Sequence, residues 1–80
     1  MMRPNHGSRL VHYFARNLKT LREAQGLSQE ALAGKAGLDR TYVSSCERGE
    51  RNVTLVTLDR LSAALGVLPH SLLDKGSGDE

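Results

Sequence analysis

The amino-acid sequence predicts an all-α fold in a single small domain. Apolar residues make up 39% of the 80 residues but only three residues are aromatic, a composition that suits helices packed through Leu, Val and Ala better than a sheet. Leucines, with one phenylalanine, recur at three- and four-residue spacing in two segments, which is the periodicity of buried helix faces. Glycines stand where such segments end, namely Gly26, Gly37, Gly49 and Gly66. A chain of this length has room for one small core and for no second catalytic or sensor domain.

The first predicted helix covers about Arg9 to Gln25, with Ser8 as its N-terminal cap and Gly26 at its end. Apolar residues spaced by four, four and three positions form its buried stripe: Leu10, Phe14, Leu18 and Leu21. Because these positions share one face of an α-helix, we expect all of these side chains to point into the core.

Residues 28–35 predict a second helix and residues 39–48 a third. The side chains of Ser28 and Asp39 can accept hydrogen bonds from free backbone N–H groups, so we expect each to cap the helix that it begins. Gly34 lies inside the second predicted helix, where glycine costs up to ~1 kcal/mol relative to alanine. We interpret it as an early, frayed end of that helix.

A fourth helix is predicted from Thr54, a further capping residue, to Leu65. Leucines form its inward stripe: Leu55, Leu58, Leu61 and Leu65. A last short helix is expected over Pro69–Leu73, because proline is favoured in the first turn of a helix. The sequence thus predicts a compact bundle of five helices joined by short loops.

The two ends of the chain lack this periodicity. Residues 1–8 are polar and turn-prone and are expected to form a flexible lead. Residues 76–80 are rich in small and polar residues and are expected to form a disordered tail. The predicted helical domain therefore covers residues 9–75.

Charge and cysteine content restrict the kind of partner and the kind of site. The net charge is +2, and residues 1–76 hold 11 basic against 7 acidic groups, a modest basic bias that is consistent with a polyanionic partner. With a single cysteine and no cluster of His or Cys, we expect no disulfide, no metal and no other cofactor. The sequence contains no signal peptide and no membrane span, so we expect a cytoplasmic protein without a small-molecule ligand.

Two short helices held across a glycine turn, here over about residues 28–48, have the geometry of a helix-turn-helix. Apolar or small residues stand where the two helices cross: Leu32, Ala33, Ala36, Leu38, Val43 and Cys46. One face of the third helix is left to polar residues: Arg40, Thr41, Ser44, Ser45 and Arg48. Their donors and acceptors fit the width of a DNA major groove, so we expect this face to bind double-stranded DNA.

Arg40 and Thr41 occupy the first turn of the third helix and are the strongest candidates for base contacts. An arginine can donate two hydrogen bonds to guanine O6 and N7, and a threonine can meet a thymine methyl group. The alternative is that both are ordinary surface residues. Ser44 and Ser45 are weaker candidates, since a serine hydroxyl binds bases, phosphates or water alike. Cys46 is interpreted as a small buried hydrophobe rather than a reactive thiol.

Residues 38–44, LDRTYVS, followed by residues 47–54, ERGERNVT, closely resemble the Cro/C1-type (Xre) helix-turn-helix regulators. Within that family they are most similar to the small controller proteins of restriction-modification systems. The resemblance extends from about Leu10 to Leu73 and implies a compact, five-helix, lambda-repressor-like DNA-binding domain. It also implies that Arg51 reads a guanine and that Asn52 steadies the DNA backbone.

Further residue roles are implied by this resemblance. It places Tyr42 beside the DNA, although the ring could instead pack beside the first turn with its hydroxyl in water. In the wider family the residue that matches Gln29 touches a phosphate, a role that the free N–H groups of a helix N-terminus also favour. Arg22 and Glu47 match a pair that forms a partly buried salt bridge between the first helix and the end of the third.

The sequence and its resemblance together indicate a sequence-specific, autoregulatory transcriptional regulator that binds an inverted-repeat operator as a homodimer. Nothing in the sequence suggests catalysis, and no catalytic residue is assigned. Apolar side chains near the C-terminus exceed what four helices can bury, and the expected dimer interface consists of Leu68, Leu72 and Leu73.

The alternative interpretation is an antitoxin-like or other protein-interaction subunit for which DNA binding is secondary. Such a subunit usually carries an extra partner-binding segment. The seven residues that follow Leu73 leave little room for one, so we expect the regulator rather than the antitoxin.

Overall fold

A computed structural model describes residues 8–76, which form four α-helices and one 3₁₀ turn without a β-strand. The helices are α1 (Arg9–Ala24), α2 (Gln29–Ala36), α3 (Arg40–Glu47) and α4 (Leu55–Leu65), and the turn is Pro69–Leu72. The prediction of an all-helical fold is therefore confirmed for these residues. Apart from Ser8 and Gly76, the predicted lead and tail lie outside the described residues.

The described residues form four α-helices rather than a clear five-helix bundle, because the last short helix predicted over Pro69–Leu73 is present only as a 3₁₀ turn, Pro69–Leu72. Its backbone hydrogen bonds close over three residues, as when Ser71 N donates to Leu68 O at 2.9 Å. Proline has no N–H to donate, and a segment of four residues is too short to build the i to i−4 ladder of an α-helix.

Side-chain caps begin three of the four α-helices. Ser8, Ser28 and Thr54 each accept a hydrogen bond from a backbone N–H in the first turn, at 3.2, 3.0 and 3.1 Å. The expected cap at Asp39 is absent. Its carboxylate instead accepts a hydrogen bond from the Thr41 hydroxyl at 2.7 Å, so α3 begins without a side-chain cap.

The second helix continues through Gly34 to Ala36, so the predicted frayed end at this glycine is wrong. Ala33 and Ala36 on either side of it are both buried, and their packing holds this turn in helical form despite the low helix propensity of glycine. The helix ends at Gly37, whose φ of 71° lies in the left-handed region that glycine adopts without a steric penalty.

Every described element contributes to one central core. Its buried members are Phe14, Leu18, Leu32, Ala33, Ala36, Val43, Cys46, Leu58, Leu61, Leu65 and Leu72. The α2–α3 pair packs against α1 through α3 and against α4 through α2. The first turn of α3 therefore begins at the surface while its far side is held in the core. No helix among residues 8–76 has the length and apolar character needed to cross a membrane.

Three leucines lie in different surroundings from those predicted. Leu10 and Leu55 were expected in inward stripes, but they are 56% and 81% exposed. Both stand in the first turn of a helix, where the α-helical periodicity continues but no neighbouring element covers the side chain. Leu72 was expected at a dimer interface, yet it is fully buried because the 3₁₀ turn folds back on α1 and α4.

The segment after the 3₁₀ turn is tied to α1 by side-chain hydrogen bonds. Asn17 Nδ2 donates to the carbonyl oxygens of Leu72 at 3.1 Å and Asp74 at 2.7 Å. Arg16 also donates to the Asp74 carbonyl, at 3.1 Å. These bonds replace the missing backbone pairing of an irregular segment and hold Leu72 in the core.

Candidate nucleic-acid interface

A bidentate ion pair fixes the end of α3 to α1. Arg22 Nε lies 2.6 Å from Glu47 Oε2 and Arg22 Nη2 lies 2.9 Å from Oε1. The side chains are only 10% and 4% exposed, and Arg22 Nη1 also donates to the Leu27 carbonyl at 2.8 Å. Hydrogen bonding to Glu47 raises the pKa of Arg22 above its ordinary value. The ion pair expected from the resemblance is therefore present and buried.

Gln29 lies against this ion pair. Its Nε2 donates to Glu47 Oε1 at 3.1 Å, and the side chain is half-buried. In this structure Gln29 thus links the start of α2 to the end of α3, a role that sequence reasoning missed because the partner is 18 positions away. Its phosphate contact stays a prediction.

The first turn of α3 presents Arg40 and Thr41 to solvent. Arg40 makes no side-chain hydrogen bond within residues 8–76. The Thr41 hydroxyl donates to Asp39, and this bond is the main reason why the pKa of Asp39 falls below its ordinary value. The exposed carboxylate lies beside Arg40, so the start of α3 presents both an anion and a cation to solvent.

Arg48 is exposed at the other end of the helix and is engaged by two neighbours. Its Nη1 donates to Ser44 Oγ at 2.6 Å. Its Nε and Nη2 lie 3.1 and 3.0 Å from the carboxylate oxygens of Glu50. Both members of this ion pair are more than half exposed, so exchanging Glu50 for a phosphate costs about 1 kcal/mol or less. The sequence analysis did not predict this pair, although Glu50 stands only two residues after Arg48.

Ser45 is buried, with 5% of its surface exposed, and is not available for the direct DNA contact expected of it. Its hydroxyl donates to the Tyr42 carbonyl at 2.7 Å and accepts from Arg51 Nε at 2.9 Å. The cause is the loop after α3, which folds back over this face and bonds Glu50 N to Ser45 O at 3.0 Å. Helical spacing alone cannot show such a covering loop.

Tyr42 and Arg51 are stacked. The Arg51 Cζ atom lies 5.0 Å from the centroid of the Tyr42 ring, within the range of a cation–π contact. The Tyr42 hydroxyl faces Thr57 of α4 and Cys46, and burial is the main cause that raises the pKa of this tyrosine. The phenol therefore points into the domain while the ring supports Arg51. Asn52 follows as an exposed residue of the same loop.

The structure thus places most of the predicted DNA-binding residues on α3 and on the loop that follows it. Arg40, Thr41, Ser44 and Arg48 extend along α3, and Arg51 and Asn52 stand in the loop that follows it. Together they offer guanidinium, hydroxyl and amide donors, the groups that bind phosphates and base edges. Among the residues that the structure describes, no three His, Cys, Asp or Glu side chains are placed to hold a metal ion.

The comparisons with known proteins all identify the same family of helix-turn-helix proteins. The model of the helix-turn-helix family HTH_3 matches residues 18–72. The control protein C.MunI of a Mycoplasma species is 54% identical over 55 residues, which cover 68% of this chain and 74% of that protein. The relatives that match are named as control proteins and transcriptional regulators, not as enzymes.

Solved structures of such control proteins have the same fold. The restriction-modification controller C.AhdI from Aeromonas hydrophila superimposes with a TM-score of 0.75 at 50% identity, covering 78% of this chain and 94% of that one. The controller C.Esp1396I, solved as a tetramer with its natural 35-base-pair operator, gives a TM-score of 0.76 at 37% identity, covering 81% and 86%.

Proposed function

This chain belongs to the Cro/C1-type (Xre) family of helix-turn-helix transcription regulators and is of the controller-protein type, and we propose that it binds an inverted-repeat operator as a homodimer. In this proposal the protein acts in the cytoplasm and controls its own promoter. Regulation in this proposal depends on the concentration of the protein.

The observation that carries the proposal is the position of α3. The Arg22–Glu47 ion pair and the buried Val43 and Cys46 hold one side of this helix against the domain. The opposite side, with Arg40 and Thr41 in the first turn, is free to enter a major groove. A helix fixed on one side and polar on the other meets a duplex without first having to fold or reorient.

Homodimerisation is supported by apolar side chains that this domain does not cover. Leu68 is 66% exposed, Leu55 is 81% exposed and Val56 is 64% exposed. The solved complex of C.Esp1396I with its operator contains four copies of that protein. One α3 helix reads too few bases to find one site in a genome, and two copies on an inverted repeat double the sequence that is read.

Footprinting of the full chain on DNA from upstream of its own gene tests the proposal. We expect protection of two half-sites whose centres are about 34–36 Å apart, and affinity that falls steeply as salt rises. R40A should relax base preference by about 1–3 kcal/mol at one position, whereas R60A, which removes an exposed arginine of α4, should not. Equal affinity for all duplexes, or one copy per site, would contradict the proposal.

A further inference from the structure

The guanidinium of Arg51 is held at two points by residues of α3. Its Nε donates to Ser45 Oγ at 2.9 Å, and its Cζ stands 5.0 Å from the centre of the Tyr42 ring. The loop that carries Arg51 is anchored at the same place, because Glu50 N donates to Ser45 O at 3.0 Å. An exposed arginine in a loop ordinarily samples many rotamers, and here both the backbone and the side chain are restrained.

The hydroxyl of Ser45 is fully used in this arrangement. It donates its only proton to the Tyr42 carbonyl, at 2.7 Å, and accepts from Arg51. At 5% exposure it has no route to a base or a phosphate. The Tyr42 hydroxyl lies near Thr57 of α4 and Cys46 of α3. The Ser45 hydroxyl therefore acts inside the domain, and both side chains contact Arg51.

The two contacts leave a defined part of the guanidinium available. With Nε bonded to Ser45, the end formed by Nη1 and Nη2 remains, and neither nitrogen has a hydrogen-bond acceptor within residues 8–76. That end carries two parallel N–H donors, which match the O6 and N7 acceptors of guanine in the major groove. The nearby Arg48 differs, because Glu50 occupies two of its nitrogens.

We propose that Ser45 and Tyr42 are positioning residues that orient Arg51 for end-on, bidentate recognition of one guanine. The inference rests on the proposed function, since it concerns how one residue of that DNA-binding surface is prepared. Holding a long side chain in its bound rotamer before the complex forms removes an ordering cost that otherwise lowers affinity for the correct base.

Selection from a library of randomised DNA duplexes tests the inference on the full chain. R51A should lose discrimination at one G·C pair by roughly 5- to 150-fold, the range for a bidentate contact. S45A should relax the same pair by roughly 2- to 10-fold, the ordering cost of one long side chain. In the R51A background, S45A should add no further loss at that pair. S62A, which removes a buried serine hydroxyl that donates to the Asp59 carbonyl within α4, is the matched control and should leave that pair unchanged.

Two tyrosine variants separate the ring from its hydroxyl. Y42F keeps the surface on which Arg51 stacks and should retain discrimination at the Arg51 base pair, whereas Y42L should lose it to a similar extent as S45A. Base preference at the pair read by Arg40 should be unchanged in all of these variants. General loosening of the fold would instead weaken both positions together.

NMR of the DNA-free protein provides a readout that does not depend on the operator. The Arg51 Nε–H signal should exchange slowly with water in the wild type and Y42F, and rapidly in S45A. If the wild type selects no consensus sequence, the proposed function fails, and the exchange rates alone decide whether Ser45 orders Arg51. If a consensus is selected but S45A keeps full discrimination, or if R51A relaxes no base pair, the positioning inference is overturned. The proposed function as a DNA-binding regulator is not contradicted by that result.

Discussion

Cys46 and Glu47 are adjacent in sequence and both side chains are buried, but their partners differ. The Glu47 side chain is 4% exposed and accepts two hydrogen bonds from Arg22. Cys46 is fully buried without a cation bonded to its sulfur, and burial raises the pKa of the thiol to about 11. At the scale of the residue, the immediate partner decides whether a buried group can carry charge.

Removing Glu47 should destabilise the domain far more than removing Glu50. E47A leaves the buried Arg22 guanidinium without its bidentate partner, with only a 3.7 Å contact to the exposed Glu23 carboxylate, so we expect a loss of about 3–5 kcal/mol in the free energy of unfolding. E50A breaks an ion pair that is more than half exposed and should cost less than about 1 kcal/mol. Urea denaturation of both variants measures the difference, and equal losses would contradict the structural role of Glu47.

The Cys46 thiol should make stability fall in alkaline solution. In the unfolded chain it ionises near its ordinary pKa of 9, whereas in the folded protein it holds its proton until about pH 11. Between these values the unfolded state binds fewer protons, so the free energy of unfolding decreases as pH rises, by about 2–3 kcal/mol in total. C46A should lack this part of the slope. Identical slopes for the two proteins above pH 9 would show that the thiol does not contribute.

At the scale of the element, the glycines of the helix-turn-helix have different functions despite their similar positions in the sequence. Gly34 lies within α2 and has nothing within 4 Å of the place where a Cβ atom would stand. Gly37 also has open space, but its φ of 71° is a conformation that other residues adopt only with strain. There is space for an alanine side chain at both positions, but the backbone conformation suits alanine only at Gly34.

G34A should stabilise the protein by about 0.4–1 kcal/mol, because alanine restricts the unfolded chain and favours the helix. G37A should destabilise it by about 1–2 kcal/mol, the usual cost of the left-handed conformation for a residue with a side chain. Thermal unfolding monitored by circular dichroism compares the two with the wild type. A loss of stability in G34A would indicate that the helix needs glycine there for a reason other than space.

At the scale of the whole molecule, some leucines of the C-terminal segment lie in the core and others at the surface. The 3₁₀ turn lies on α1 and α4, and hydrogen bonds from Asn17 hold the chain that follows it. Leu72 is fully buried by this arrangement, Leu73 is half-buried beside the core, and Leu68 stays 66% exposed. Leu68 is therefore the member of the expected interface that a second copy can cover.

A charged residue should have different effects at the exposed Leu68 and at the buried Leu72. L72E places a carboxylate in the core of a small domain and should abolish the cooperative unfolding transition. L68E should keep the helical spectrum and the transition of the wild type but shift sedimentation towards the monomer and weaken operator binding. A folded L72E protein would contradict the assigned core, and an L68E protein that dimerises like the wild type would exclude Leu68 from the interface.

Local signals were enough to predict the order of the helices and the first turn of α3. Leucine spacing and capping residues such as Ser28 depend only on neighbours within a turn or two, so they can be read directly from the sequence. The prediction of exposed polar residues at Arg40 and Thr41 depends on the same local information. The resemblance added the Arg22–Glu47 pair, whose members are 25 positions apart.

By itself, the sequence therefore determined the helical periodicity, the glycine at the turn and the chemical groups available to the α3 face. Only the tertiary structure decided which of those groups are free. Ser45 shares the periodicity of that face but is covered by the loop that carries Arg51. Leu72 was expected at the surface, but it is buried because the 3₁₀ turn packs on α1. The physical reason is that burial depends on contacts between segments distant in sequence, which no local pattern specifies.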